Sequence, residues 1–295
     1  MKRGRYYLAR VIKLGQLTRD SFLDALTAPK AITVGDSDWT ITDILNRFDN
    51  GGGFVYGNLA KYSREGVVKL VDENSKQQLQ ALAPNLLEAS APFVYLPEFS
   101  GLAYLHVWNG IPQDIFPRRF ASVIEAKFDG FFAKCDIEKI ADYRVFLDRL
   151  AALERITELS ARVRPPNPLF GRLWKELDDY LRKRKASEVV VKESSDDKQG
   201  LATQITVHIE KILINRDYKP ALPLDVTDAA VLMAADGYGT GKATGIENGS
   251  AVVIHTAESQ KSFLFEKQPV PEALATTARD HFERLSSERD MRHPE

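Results

Sequence analysis

Apolar side chains recur at every second position through most of the first 110 residues, and at every third or fourth position in the segments between. Residues 5–13 (RYYLARVIK) therefore predict a strand. Residues 18–28 (TRDSFLDALTA) predict a helix capped by Thr18, with Phe22, Leu23 and Leu26 on its inner face. Residues 39–63 predict two strands joined at Asn50-Gly51-Gly52-Gly53, where glycine supplies the positive φ of a tight turn. Residues 66–73 (GVVKLVDE) extend this sheet, and a polar, Gln-rich segment follows over 76–90. In residues 91–110, Val94 and Leu96 alternate with Phe93 and Tyr95. Across a turn at Ser100-Gly101, Ala103, Leu105 and Val107 alternate with Tyr104, His106 and Trp108. Both faces of this hairpin are apolar or aromatic, so it should be central and covered on both sides.

Period 3.6 takes over at 116–134, where Pro117 opens a helix and Phe120, Val123, Ile124, Phe128 and Phe131 share one face. Residues 143–154 predict a second such helix. It leads into a strand over 155–165, with Leu159, Ala161 and Val163 inward and Glu158, Ser160, Arg162 and Arg164 outward. A helix capped by Asn167 and opened by Pro168 should carry Phe170, Leu173, Trp174, Leu177 and Leu181 inward. A strand at 188–193 and a polar loop at 194–200 come next, and residues 203–214 fit either a strand or a helix. Residues 225–236 predict a helix, 249–256 a strand, and 271–290 a closing helix that starts at Pro271. Strands and helices mix without βαβ regularity and no repeat is visible. The fold class is α+β with mainly antiparallel sheets, in two α+β halves at 1–142 and 143–295.

The chain has 295 residues, 44% hydrophobic and 27% charged, which is ordinary for a globular protein. Its formal net charge is −1, so a polyanionic partner would have to meet a local basic surface. One cysteine, Cys135, excludes an internal disulfide and a cysteine-cage metal site. The basic start MKRGRYYLAR lacks the apolar run of a signal peptide, and no stretch approaches the roughly 18 apolar residues of a membrane span. A cytoplasmic protein with no membrane contact is the expectation.

The glycine-rich stretch Asp236–Gly245 (DGYGTGKATG) invites comparison with a phosphate-binding loop. Aligned on Gly241-Lys242, the pattern needs glycine at 236 and a hydroxyl at 243, but Asp236 and Ala243 stand there. The flanks also run helix–turn–strand, the reverse of a P-loop. A turn leading into a hairpin closed at Asn248-Gly249 is the reading, and no cofactor is expected.

A nuclease reading would have Asp114 and Glu125 hold Mg²⁺ while Lys127 positions the attacking water. Glu125 and Lys127 fall in a helical pattern, where positions two apart diverge. The histidines show no paired ligand spacing, and no protein metal site is expected. Local basic clusters point instead to phosphate. They are Arg3 and Arg5, within a run that includes Lys2, Arg10 and Lys13; Arg118 and Arg119; Arg162 and Arg164; and Arg182, Lys183, Arg184 and Lys185. Cations in a helix's last turn complement its dipole, which alone accounts for 182–185. Arg118 and Arg119 sit at a helix start, where cations are unfavourable without an anion.

Pro92-Phe93-Val94-Tyr95, Asn167-Pro168 and Gly237-Tyr238 together resemble the bacterial domain-of-unknown-function family 4747. That family shares a β-rich N-terminal half, a PF-x-Y strand, a helix opening Asn-Pro and a late Gly-Tyr hairpin. It has no assigned activity, so it implies no site residues. The SFLDAL-like helix and the PFVYLPEFSGLAYLHV-like hairpin more remotely resemble the RexA-like phage-exclusion proteins of lambda. That resemblance implies a homodimer that binds DNA without sequence preference, in bacterial or prophage anti-phage defence. Together these readings give a non-enzymatic nucleic-acid-binding protein, with DNA preferred over RNA and a protein encoded beside it as a further partner. The alternatives are the metal-dependent nuclease or toxin effector and a protein-binding sensor or scaffold.

Overall fold

The structure is a computed structural model that describes residues 2–47, 53–128, 132–165, 169–215 and 218–292. The chain opens with strand β1 (Arg3–Gly15) and helix α1 (Arg19–Thr27). Thr18 caps α1 as its sequence requires. Its side chain accepts from the Ser21 amide, and the Ser21 hydroxyl accepts from the Thr18 amide. The sheet then builds through β2 (Ile32–Val34), β3 (Ser37–Arg47), β4 (Phe54–Asp72), β5 (Gln77–Leu96) and β6 (Gly101–Leu105). Helix α2 (Ile115–Ala126) and β7 (Ala133–Lys139) follow.

The expected central hairpin is where its alternation placed it. Strands β5 and β6 are flanked by β4 and β1 in the middle of the sheet. Tyr6, Leu8, Val94, Leu96, Ala103 and Leu105 enter one core. Ala9, Val11, Phe93, Tyr95, Leu102 and Tyr104 enter a second core on the opposite face. Phe22 of α1 and Phe116 and Phe120 of α2 close the second core, with Phe116 stacked on Tyr104 at 4.3 Å between ring centroids.

Helix α3 (Tyr143–Ala151) leads into β8 (Arg155–Val163), followed by β9 (Phe170–Gly171), α4 (Lys175–Arg184) and β10 (Val189–Ser194). Residues 203–214 resolve as helix α5 (Ile205–Ile214), whose buried Ile205, Ile209 and Ile212 have helical spacing. After α6 (Val226–Met233) come β11 (Gly239–Glu247), β12 (Ser250–His255), β13 (Ser262–Glu266), α7 (Pro271–Glu288) and β14 (Met291–Arg292). Strands β10, β8, β11 and β12 form a second antiparallel sheet in that order. Asn248 and Gly249 both have positive φ, as the predicted turn between β11 and β12 demands. The antiparallel α+β class is the one observed.

Four local expectations change. The polar segment 76–90, to which the sequence assigned no element, is the outer part of β5, paired with β4 out to Asp72 opposite Gln77. The helix expected from Pro168 begins only at Lys175, because β9 first pairs with β14 and a 3₁₀ turn covers Arg172–Trp174. Cys135 lies within β7 rather than after a helix, fully buried, and burial pushes its thiol far up. Strand β13, which the sequence reading passed over, pairs with Arg3–Tyr7 of β1 while β7 takes the same edge further along. Asn50-Gly51-Gly52, Phe131 and Asn167-Pro168 lie outside the described residues.

Beyond the expected boundary at 142/143, β13 and α7 return to the first sheet. Phe282 of α7 stacks on Phe99 at 5.5 Å and covers Gly101. One hydrophobic core thus runs from Tyr6 to Met291.

At the centre of that core is a charged node. Asp236 Oδ1 accepts from Tyr143 Oη and from an Arg289 guanidinium nitrogen, each at 2.8 Å, and its Oδ2 accepts from Trp174 Nε1 at 2.9 Å. The Asp236 carbonyl accepts from Arg10 Nε at 2.8 Å. Arg10 also donates to the Phe99 carbonyl, and Arg289 to the Ala141 carbonyl. Their guanidinium groups lie over the rings of Tyr238 and Tyr143. All six side chains are buried. Gly237 leaves this node at φ +87°, and a side chain there would press on Arg10 and Ile140. Two glycines of the apparent phosphate loop thus serve packing. The other is Gly239, where a Cβ would fall 2.0 Å from the Arg162 carbonyl oxygen.

Candidate nucleic-acid interface

Arg3, Arg5 and Tyr7 alternate with buried Gly4 and Tyr6 on β1, so their side chains share one face near the strand's start. The chain leaving β6 comes alongside. The His106 amide donates to the Arg5 carbonyl at 2.9 Å, and the Tyr7 ring meets His106 edge-on with centroids 6.2 Å apart. His106 in turn meets Trp108 at 5.5 Å, and Trp108 is 80% exposed. The Gln113 amide donates to His106 Nδ1 at 3.0 Å, which fixes the ring. Burial, reinforced by the Arg5 charge, holds the imidazole below its ordinary pKa, although Asp114 acts in the opposite direction. At neutral pH His106 is therefore an uncharged ring between two aromatic neighbours. Lys2 and Lys267 are exposed and joined by the hydrogen bond from the Lys267 amide to the Lys2 carbonyl, but the Lys267 side chain lies on the Gly4 side of β1, opposite Arg3 and Arg5.

Helix α2 starts against this face. Asp114 precedes it, and Arg118 in its first turn donates Nε to the Asp114 carbonyl at 3.1 Å, leaving the side chain exposed. Arg119 turns away and lies over the Trp39 ring at 5.7 Å. Of the two, Arg118 is the one available to an anion at this surface.

The remaining basic residues belong to the second layer. Arg164 is only 16% exposed and is enclosed by Asp136, Glu138 and Glu188. It ties β7 of the first sheet to the second sheet and has no face turned to solvent phosphate. Arg162 pairs with Glu188 at 3.5 Å but stays largely exposed. It shares the outer face of the second sheet with Lys192 and Lys242, which both reach Glu158, at 2.7 and 2.8 Å. Arg182 pairs with Asp178 one turn earlier on α4, while Lys183, Arg184 and Lys185 are exposed at that helix's end. Two cations of the N-terminal run are internal. Arg10 belongs to the buried node. Lys13 donates to Ser100 Oγ at 2.8 Å, and burial pushes its amine down to about 8.

The nuclease trio is dispersed. Asp114 accepts from Lys139 Nζ at 2.5 Å. Glu125, within α2, accepts from the Cys135 amide at 2.8 Å. Lys127, at the end of α2, reaches the Ala28 carbonyl at 3.2 Å and Asp24 at 3.4 Å. Glu125 and Lys127 thus face β7 and α1 respectively. Among the described residues, no group of three or more His, Cys, Asp or Glu side chains is placed to hold a metal ion.

Lys242 lies on β11, paired with Glu158, not at a helix start. Titration calorimetry with ATP and GTP should give no micromolar binding for the native protein or for Lys242→Ala. Micromolar binding abolished by that substitution would contradict the assignment.

The sequence marked Arg3, Arg5 and Arg118 but missed the aromatic half of the face. Tyr7 looked like an ordinary residue of the first strand, and His106 and Trp108 like alternating hairpin residues. The signal available was Trp108 immediately before Asn109-Gly110, a turn pair that ends the strand and leaves the indole outside the sheet.

No described helix is long and apolar enough to cross a membrane. No curated protein matches the chain, so the RexA-like resemblance rests on sequence motifs alone. Residues 19–208 match the family model described as a domain of unknown function (DUF4747), a span that runs from α1 through β10 into the start of α5 and leaves β1, α6, β11, β12, β13, α7 and β14 outside it. The chain belongs to the DUF4747 family.

Proposed function

We propose that this is a non-enzymatic, cytoplasmic protein that binds nucleic acid without sequence preference, DNA over RNA, in bacterial or prophage anti-phage defence. The observation that carries the binding reading is the face built from Arg3, Arg5, Tyr7, His106 and Trp108. An exposed indole stacks on any base, and the flanking cations track phosphate, so affinity follows charge and stacking rather than base edges. The exposed Arg118 adds to this face, and the outer face of the second sheet around Arg162, Lys192 and Lys242 is a separate basic surface. The resemblance to RexA-like exclusion proteins supports the defence context.

Fluorescence anisotropy with labelled duplex and single-stranded DNA tests this. With three to five phosphate contacts, duplex affinity should fall by about two and a half to four and a half decades per tenfold rise in salt. Arg3→Glu with Arg5→Glu should lower that slope by roughly two. Trp108→Ala should weaken single-strand binding by about 1–3 kcal/mol at unchanged slope. No retention of any DNA or RNA at low salt would overturn the reading in favour of a scaffold. Mg²⁺-dependent degradation would overturn it in favour of a nuclease.

A further inference from the structure

The second layer carries an apolar cavity that none of the basic clusters uses. It has a volume of about 730 Å³ and lies among α4, β10, the start of α6 and the connecting segment 219–224. Leu173 and Trp174 enter it from the 3₁₀ turn before α4, Leu177 from α4 itself and Ala229 from α6, and all four are buried. Val189 and Val191 line it from β10, while Val190 between them faces away and is 59% exposed. Trp174 Nε1 is committed to Asp236, so the buried node fixes the indole and the cavity meets only its ring. Pro220 and Pro223 set two φ angles of the segment that closes one side. The cavity is thus formed by the fold itself, and its size lies within the roughly 300–1,000 Å³ of small-molecule sites.

Polar side chains are confined to the rim. Lys175 and Glu176 at the start of α4, Tyr180 further along it, and Lys219 are exposed there. Among the described residues neither lysine forms an ion pair. Glu176 adjoins Lys175 on the helix, where neighbouring side chains diverge, and its charge complements the dipole of α4. Two cations against one carboxylate leave the rim net positive over an apolar interior.

We propose that this cavity binds an amphiphile with a single anionic head, a medium- or long-chain carboxylate. Its chain lies between α4, β10 and α6, and its carboxylate meets Lys175 and Lys219. Polarity at one end only is what the lining selects. A peptide, or the base of a nucleotide, would bring hydrogen-bonding groups against side chains that offer none in return, at a desolvation cost a hydrocarbon chain does not incur. The inference does not depend on nucleic-acid binding, because the lining shares no residue with the face that carries Arg3, Arg5 and Trp108.

Calorimetric titration of the full-length protein with sodium octanoate, decanoate and dodecanoate, each below its micelle concentration, tests this. Affinity should rise about fourfold per added methylene, which corresponds to about 0.8 kcal/mol of burial. Lys175→Ala with Lys219→Ala should weaken dodecanoate about tenfold, the effect of losing two accessible ion pairs, and leave dodecanol unchanged. Leu222→Asp, at the mouth of the cavity where the leucine is 78% exposed, should weaken both ligands about tenfold with an unchanged melting curve. Val190→Asp, on the opposite face of β10, should weaken neither. No saturable binding of dodecanoate at millimolar concentration would overturn the proposal, as would dodecanoate binding that survives Leu222→Asp or the double lysine substitution. So would an equal loss of dodecanol in the double lysine variant, since the lysines would then act on the cavity's shape and not on the head group. Partition of the native protein onto phosphatidylcholine–phosphatidylglycerol vesicles without binding of monomeric dodecanoate would overturn it in favour of a membrane-facing surface.

Discussion

Asp236→Ala lowers the unfolding free energy by about 3–5 kcal/mol, the loss expected when one partner of a buried ion pair is removed and the other stays charged. The magnitude follows from what the carboxylate holds. It accepts from Tyr143, Trp174 and Arg289 at 2.8–2.9 Å, so alanine strands three buried donors, one of them a cation. Water cannot replace the carboxylate without opening the core, because Asp236 and its donors are at most 3% exposed. For a domain of this size the midpoint of thermal unfolding should fall by roughly 10 °C. Urea denaturation of the native protein, Asp236→Ala and the double variant Asp236→Ala with Arg289→Met checks the mechanism. The double variant should recover part of the loss, since it removes the stranded charge as well. Asp114→Ala, which breaks only a surface pair with Lys139, should stay within about 1 kcal/mol of native. A loss below 1 kcal/mol at Asp236 would show that the node does not hold the two layers together.

This node also marks where sequence reasoning stops. Alternation in 91–110 predicted strands covered on both faces, and that is what β5 and β6 are, because a two-sided apolar pattern has few other solutions. Thr18, Pro271 and Asn248-Gly249 located their elements because caps and tight turns are local chemistry. Asp236 is different. It closes the helix predicted over 225–236 and opens the glycine-rich stretch, so it looked like a helix end beside a turn, and its partners come from β1, α3, the approach to α4 and the end of α7. No local pattern announces a residue whose carboxylate three distant segments satisfy and whose carbonyl a fourth does. Arg10 and Arg164 illustrate the same limit with opposite expectation. Both read as surface cations beside other arginines, yet one is in the core and the other among three carboxylates. Arg3 and Arg5 are exposed because β1 alternates, and alternation is visible in sequence. Whether an arginine faces phosphate or a buried partner depends on strands that pair hundreds of residues apart, as β1 does with β13.

The carboxylates around Arg164 give the protein a second strong dependence, on pH. Burial raises the Glu138 carboxyl to about 7, the neighbouring Asp136 charge adds to the rise, and Arg164 opposes it. An acid whose pKa is higher folded than unfolded binds its proton more tightly in the native state. Its contribution to stability is complete below the unfolded value, near 4.5, and is lost as pH rises through 7. Glu138→Gln cannot titrate, so it stays in the neutral form throughout. The stability of the native protein relative to Glu138→Gln should therefore fall between about pH 4.5 and pH 8, by roughly 2–3 kcal/mol. At pH 8 the glutamine variant should be the more stable of the two. Asp136→Asn should move the Glu138 transition to lower pH, because it removes the like charge that helps raise it. Arg164→Met should move it higher and weaken the junction between β7 and the second sheet. Denaturation at half-unit pH intervals resolves these shifts. A native-minus-variant difference that stays flat from pH 4.5 to 8 would mean that Glu138 is ionised throughout, with Arg164 outweighing both burial and Asp136.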